Sequence, residues 1–227
     1  MNIDNILNKI FELRAVPKKD LNNIKFVLKK LGNPEKNLKI IHIAGTNGKG
    51  STAAMTAEIL KKSGFKTGLF TSPYLEVFNE RIRINGENIT DNDLAEYVTR
   101  VKAIMEKNNA LVSEFAFITA VSFLYFYEKQ CDIVVLEVGM GGKLDATNVI
   151  DSSLVSVICK IGLDHTQYLG NTVEEIAKER NLTASTIAGH LARFVVDGTL
   201  DLHRFVSVEQ YEKALEILKD KDKNVSV

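Results

Sequence analysis

A glycine-rich segment, GTNGKGS at residues 45–51, lies between an apolar β-branched run and a helical pattern. Glycines let a backbone turn tightly and approach a ligand, so that successive N–H groups point toward one spot. Lys49 adds a full positive charge suited to the β- and γ-phosphates of a nucleotide, and a hydroxyl of Ser51 or Thr52 can reach Mg²⁺ or a phosphate. The segment therefore predicts a phosphate-binding loop, although Gly50 separates the lysine from Ser51 and so departs from G-x-x-x-x-G-K-[ST]. The competing interpretation is a glycine-rich turn that binds nothing.

An acidic residue follows a later apolar run, CDIVVLEV at residues 131–138, in which Glu137 stands near the end. Phosphate-binding folds place the acid that holds Mg²⁺ at the end of a strand next to the phosphate loop. The loop at residues 138–148 carries three glycines together with Asp145 and Asn148. Open α/β sheets bind ligands at the carboxyl ends of their strands, so this loop is a candidate for ligand binding. A structural ion pair is the alternative role for Glu137.

A histidine is the third candidate for this chemistry. His165 comes after Asp164, just beyond the apolar run at residues 154–161. A lone histidine is more often structural than a ligand, but its place at another strand end favours a metal ligand. His165 is therefore a candidate metal ligand, and a structural role is the alternative.

The elements that would position these residues alternate between strand and helix. Apolar, β-branched runs predict buried strands at residues 39–44, 66–71, 131–138 and 154–161. Helical spacing of apolar residues predicts helices at 3–13, 21–31, 52–62, 91–107 (capped by Thr90 or Asp91) and 115–128, and an Asn-Gly pair predicts a small hairpin within 80–90. This alternation is typical of an α/β fold with a parallel sheet flanked by helices.

Composition limits the classes of protein to which the chain can belong. It has 227 residues, 45% of them hydrophobic and 26% charged, as in an ordinary globular protein of one large or two modest domains. There are 29 Lys and Arg against 29 Asp and Glu, so the basic excess of a dedicated nucleic-acid binder is absent. Two cysteines cannot form a disulfide framework, and no long apolar stretch predicts a signal peptide or a membrane span. We therefore expect a cytoplasmic protein without a membrane partner.

Several segments taken together resemble folylpolyglutamate synthase/dihydrofolate synthase, a Mur-ligase type of ATP-dependent amide ligase. They occur in the family's order and cover about residues 1–179. The segments are GTNGKGST, TSPYL (71–75), FNERIRING (78–86), EVGMGGKLDATN (137–148) and DHTQYLGNTVEEIA (164–177). The resemblance implies that residues 1–171 form a truncated Mur-ligase-like ATP-binding domain, a P-loop-type parallel sheet flanked by helices.

The resemblance also implies an activity, the ATP-dependent attachment of L-glutamate to dihydropteroate or folate through an acyl phosphate, with ATP and Mg²⁺ as cofactors. The residues that would bind the triphosphate are Thr46, Asn47, Gly48, Lys49, Gly50 and Ser51. The metal ligands would be Ser72, Glu137 and His165, and the catalytic residues Lys49, Glu137 and His165. Residues 73–83 would lie near the pterin. Without the resemblance, Ser72 would be interpreted as a turn cap before Pro73.

The chain departs from this family after the DH motif. The family pattern resembles IAxEKAGI, with a carbamylated lysine that helps to hold metal, whereas this chain has IAKERNLTAS with Arg180 at that position. A guanidinium is always charged and would repel Mg²⁺. Family members also complete the sheet and add a second α/β domain. We therefore expect a fragment or fusion with little turnover by itself, and an incomplete sheet whose exposed edge could favour self-association.

The C-terminal segment resembles a different family. Residues 172–220 resemble the helix-turn-helix module at the C-terminus of RecQ-type helicases, and residues 221–227 are expected to be a frayed tail. Residues 181–227 contain six Lys and Arg against seven Asp and Glu, so we expect a small all-α packing module that binds DNA weakly. The alternative function is therefore a weak DNA-associated helix-turn-helix protein with a relic ATP-binding domain.

Overall fold

The computed structural model describes residues 3–16, 21–172 and 175–176, and a six-stranded sheet lies at their centre. The strands are β1 (Ile40–Ala44), β2 (Thr67–Phe70), β3 (Ile82–Ile84), β4 (Glu87–Asn88), β5 (Ile133–Glu137) and β6 (Val155–Ile158). Their order across the sheet is β4-β3-β2-β5-β1-β6. The strands β2, β5, β1 and β6 are parallel, while β3 and β4 add an antiparallel hairpin at one edge.

The central strands β1 and β5 are buried along their whole length. Their sequences, IIHIA and IVVLE, lack the alternation of a half-exposed strand because helices cover both faces of the sheet. Residues such as Ile40 and Val134 belong to the core on one face, and Ile43 and Val135 to the core on the other. The sheet is therefore the middle layer of a three-layer α/β arrangement.

Helices of contrasting character form the two outer layers. They are α1 (Ile3–Phe11), α2 (Asn22–Lys30), α3 (Lys49–Lys62), α4 (Asp91–Lys107), α5 (Glu114–Glu128) and α6 (Thr166–Leu169). Helix α5 is apolar on all sides and lies between the sheet and the other helices of its layer, α1, α2 and α4. Helix α3 covers the opposite face. The glycine-rich loop therefore connects the end of β1 to a helix that packs on the sheet.

Two helix starts differ in how well the sequence predicts them. Thr90, rather than Asp91, caps α4, because its hydroxyl accepts a hydrogen bond from the Asp93 N–H at 3.1 Å. Helix α3 begins at Lys49, three residues before the predicted start, after Gly48 in the left-handed region at φ 84°. The lysine of the glycine-rich segment therefore lies in the first helical turn.

The predicted α/β class with its flanking helices and the hairpin are confirmed, and the sheet as a whole is mixed rather than purely parallel. Within the described residues β6 pairs only with β1, so the expected open edge stays a prediction. None of the helices described is long and apolar enough to cross a membrane. The helices predicted after residue 172, the boundary at residue 172 and the frayed tail fall outside the described residues, apart from 175–176.

Candidate functional site

The predicted site residues come from four loops that leave the sheet on one side. The loops follow the carboxyl ends of β1, β2, β5 and β6, which are parallel neighbours, so all four loops emerge at the same edge of the sheet. The first loop leads into Lys49 at the start of α3, the other three carry Ser72, Asp145 and His165, respectively, and Glu137 is the last residue of β5. The fold therefore brings to one edge of the sheet candidate residues that lie between positions 49 and 165 of the sequence.

The loop after β1 has a tightly constrained start at Gly45. Its φ of 145° lies in the region that favours glycine, and a Cβ atom there would stand 2.7 Å from the Cβ of Cys159. Cys159 follows β6 and donates its N–H to the Ala44 carbonyl at 2.7 Å. Glycine is therefore required where the loop passes close to the neighbouring strand.

The next two residues fasten this loop to the segment after β6. The N–H groups of Thr46 and Asn47 donate to the Lys160 carbonyl at 2.9 and 3.3 Å. The Thr46 hydroxyl donates to the Gly162 carbonyl at 3.0 Å and accepts from the Gly162 N–H at 3.1 Å. These backbone N–H groups therefore shape the loop here, and the predicted triphosphate contacts of Thr46 and Asn47 remain a prediction.

The first turn of α3 presents the positive charge of the site. Gly48, Lys49, Gly50 and Ser51 stand at the helix N-terminus, where the first N–H groups lack acceptors inside the helix and attract anions. The Lys49 ammonium donates to the Thr46 carbonyl at 3.2 Å and so lies over the loop. A phosphate at this position would receive both the helix N–H groups and the lysine charge.

Glu137 lies beside this loop with only 3% of its surface exposed. Its Oε2 accepts the Ser72 backbone N–H at 2.9 Å, and a Cβ on Gly50 would stand 3.5 Å from the same oxygen. Burial raises the pKa of this carboxyl, the Ser72 N–H and Lys49 lower it, and the charge of Asp145 raises it. The structure therefore brings Glu137, Ser72 and the glycine-rich loop together.

These residues fit a hard divalent cation. A carboxylate and a hydroxyl are the oxygen ligands that Mg²⁺ prefers, together with phosphate oxygens and water. The raised pKa of Glu137 means that the protein compensates its buried negative charge incompletely. Glu137 would be the residue that holds such a cation, whose charge would favour the ionised carboxylate.

The side chain of His165 is far more exposed than that of Glu137. It precedes α6 with a left-handed φ of 50°, its side chain is 46% exposed, and its Nε2 lies 3.6 Å from the Asp164 carboxylate. In the described part of the chain no group of three His, Cys, Asp or Glu side chains is arranged to hold a metal ion. The role of His165 as a metal ligand therefore remains a prediction.

Sequence reasoning missed two buried residues close to the site. His42 of β1 is fully buried, and its Nε2 lies 2.8 Å from the hydroxyl of Thr147. The Thr147 hydroxyl donates to Asp145 at 2.7 Å, and the Met140 N–H donates to the other carboxylate oxygen at 2.9 Å. The available signal was the polar residue inside the otherwise apolar strand sequence IIHIA.

Most of the segment predicted to lie near the pterin connects β2 to β3 and includes a short 3-10 helix, Phe78–Arg81, while its last two residues belong to β3. Inside it the Glu80 carboxylate accepts three backbone N–H groups, from Leu75, Glu76 and Val77, and these bonds lower its pKa. Leu75 is 89% exposed. The loop therefore has a defined internal shape and presents an apolar side chain outward.

Known proteins similar to this chain are ligases of folate metabolism. Dihydrofolate synthase/folylpolyglutamate synthase of Bacillus subtilis is 44% identical over 168 residues, which are 72% of this chain and 39% of that protein. A solved structure described as an FPGS-AMPPCP-folate complex superposes with a TM-score of 0.76 at 41% identity, over 79% of this chain and 45% of the other. Escherichia coli FolC in complex with DHPP and ADP gives a TM-score of 0.71 at 32% identity, over 77% and 42%.

The C-terminal residues match a different family model. A helix-turn-helix domain model matches residues 166–225. The chain spans about two fifths of the length of the Bacillus subtilis relative. The solved structures cover as much as 79% of this chain.

Proposed function

Since most of this chain is similar to about two fifths of folylpolyglutamate and dihydrofolate synthases, we propose that it is the ATP-binding part of such a ligase. The reaction would be ATP-dependent addition of L-glutamate to dihydropteroate or a folate. The observation that carries the proposal is the pairing of the glycine-rich loop with buried Glu137 of the neighbouring strand.

The N-terminus of α3 and Lys49 would bind and neutralise the triphosphate. Glu137 and Ser72 would hold Mg²⁺, with His165 as a further ligand, and the bound ion would neutralise charge on the phosphates. Gly45 and Thr46 would keep the loop in its open shape through their contacts with the segment after β6.

The chemistry asks more for positioning than for a protein nucleophile. Phosphorylation of the substrate carboxylate gives an acyl phosphate, and attack by the glutamate amine then forms the amide and releases phosphate. The rate of such a reaction depends on holding the reactants in line and stabilising charge on the phosphoryl group. The segments at residues 73–83 and 138–148 follow the neighbouring strands β2 and β5 and would bind the carboxylate substrate.

The experiment compares two lysines at opposite ends of α3. Lys49→Ala removes the charge over the loop, whereas Lys62→Ala removes an exposed charge from the last turn of the same helix. We expect Lys49→Ala to weaken the binding of a non-hydrolysable ATP analogue, measured by calorimetry with and without Mg²⁺, by at least about tenfold. Lys62→Ala should bind like the wild type. Equal affinities for the wild type and Lys49→Ala would overturn the proposal.

The helix-turn-helix match supports a second candidate function, that of a DNA-associated protein with a relic ATP-binding domain. The sequence-wide charge balance opposes it, because 29 basic residues stand against 29 acidic ones. Two free thiols, Cys131 and Cys159, are compatible with a reducing compartment, and we propose a cytoplasmic location for either candidate function.

A further inference from the structure

A chain of three buried polar side chains connects β1 to the loop after β5. His42, Thr147 and Asp145 are 0%, 0% and 4% exposed, respectively. The distance from His42 Nε2 to Thr147 Oγ1 is 2.8 Å, and that from Thr147 Oγ1 to Asp145 Oδ1 is 2.7 Å. Such contacts are short and shielded from water, so that losing one partner leaves a buried polar group unsatisfied.

The chemistry of the three groups sets the direction of both hydrogen bonds. A carboxylate only accepts, so Thr147 uses its single proton to donate to Asp145. The Thr147 hydroxyl must then accept from His42, which requires the neutral imidazole with its proton on Nε2. Among the described residues Nδ1 of His42 has no hydrogen-bond partner, and a bare acceptor there costs less than a buried N–H donor would.

We propose that His42 is a positioning residue, which as the Nε2–H tautomer holds Thr147 and Asp145 and thereby fixes the loop at residues 138–148. The link is completed by Asp145, which accepts the N–H groups of Met140 at 2.9 Å and of Thr147 at 3.0 Å. A histidine of the strand before the glycine-rich loop thus shapes the loop that follows Glu137. Its importance for ligand binding rests on the proposed function.

The hydrogen-bonded chain of His42, Thr147 and Asp145 lies close to Glu137. His42 is the register partner of Leu136, and the Val138 N–H donates to the Ile43 carbonyl at 2.9 Å. The loop is therefore attached to β1 at its beginning through the backbone and near its end through Thr147. Loss of the second attachment would release Asp145 and, with it, the Met140 N–H three residues after Glu137.

The first test uses isosteric variants of Thr147. Thr147→Val keeps the shape and removes the hydroxyl, whereas Thr147→Ser keeps the hydroxyl. We expect Thr147→Val to raise hydrogen exchange at residues 138–148 and to reduce the Mg²⁺-dependent gain in ATP-analogue affinity by about tenfold, with the Mg²⁺-free affinity unchanged. Thr147→Ser should restore both. Wild-type exchange in the loop of Thr147→Val would overturn the proposal.

The second test observes His42 itself. We expect ¹⁵N NMR of the full chain to show a neutral His42 with the proton on Nε2 from pH 8 down to about pH 5. His42→Gln retains an N–H donor near the Nε2 position and should protect the loop from exchange, while the shorter His42→Asn should not. A proton on Nδ1, or equal loop exchange in the two variants, would contradict the assignment.

The two proposals fail in different ways. If the wild type binds no ATP analogue, the proposed function fails, while loop exchange and the histidine tautomer still test the positioning role. If the analogue binds but Thr147→Val and Thr147→Ser behave alike in both measurements, the positioning role is wrong and the proposed function stands.

Discussion

Buried polar residues determine the chemistry of the site at the scale of single residues. Glu137 is buried next to the glycine-rich loop and burial raises its pKa, so a nearby cation would favour its charged form. His42 is different, because burial lowers its pKa to about 3 and so keeps its ring neutral. Glu137 is therefore suited to bind a cation, whereas His42 serves as a neutral hydrogen-bond donor.

The neutrality of His42 predicts a pH dependence of stability. The unfolded chain protonates this histidine below about pH 6.5, whereas the folded chain does so only near pH 3. The unfolded state thus binds more protons between these values, and the free energy of unfolding decreases as the pH falls through that window. At pH 5 the contribution amounts to a loss of about 2 kcal/mol relative to pH 7.5.

His42→Gln should remove this part of the pH dependence. Urea denaturation of both proteins at several pH values between 5 and 7.5 measures the effect, and the wild type should lose stability more steeply toward low pH. The comparison cancels the contributions of the other histidines because both proteins share them. Parallel curves for the two proteins would show that His42 is protonated equally in the folded and unfolded states.

At the scale of elements, the sheet and helix α5 pack so closely that one residue of β2 must be glycine. A Cβ on Gly68 would lie 2.8 Å from Cδ1 of Phe126, which is itself fully buried on α5. The strand β2 ends at Phe70, and Thr71 and Ser72 follow it, so Gly68 lies four residues before the backbone N–H that Glu137 accepts.

Gly68→Ala is therefore expected to destabilise the fold by about 1–3 kcal/mol, because a close-packed core cannot accept the methyl group without strain. Thermal and urea denaturation would measure this change. A smaller side chain in the double variant with Phe126→Leu should relieve the clash, so that Gly68→Ala costs less in that background. If Gly68→Ala has the same cost in both backgrounds, the contact with Phe126 is not the cause.

The whole molecule combines a ligase-like α/β part with a C-terminal segment of different similarity. The formal charge of the chain is zero, with 29 basic and 29 acidic residues. Affinity for duplex DNA depends mainly on how many phosphates a protein neutralises, and a balanced chain neutralises few. The first part therefore suggests nucleotide binding and the second suggests DNA binding. The balanced net charge of the chain favours nucleotide binding.

We expect the full chain to bind duplex DNA weakly, with little change in affinity between low and physiological salt. Fluorescence anisotropy with a labelled duplex over a series of salt concentrations measures the slope. A tight complex whose affinity falls steeply with added salt would favour the second candidate function. It would mean that the protein contacts several DNA phosphates although it has no basic excess.

Much of the fold and part of the site could be predicted from local patterns. The apolar run before GTNGKGS, the cap at Thr90 and the apolar run before Glu137 each depend on a few consecutive residues, so strands, helices and the loops between them follow from the sequence. The early start of α3 at Lys49 was missed because its boundary depends on the backbone conformation of Gly48.

The sequence by itself determined that Lys49 belongs to a glycine-rich segment after one buried strand and that Glu137 stands at the end of another, because hydrophobic patterns and glycines act over short distances. Only the tertiary structure decided that β5 lies between β1 and β2, which brings Glu137 to Ser72 across 65 residues and His42 to Thr147 across 105. Contacts of this kind depend on the order of strands in the sheet. That order results from how all the apolar faces are buried together, and no local pattern of residues encodes it.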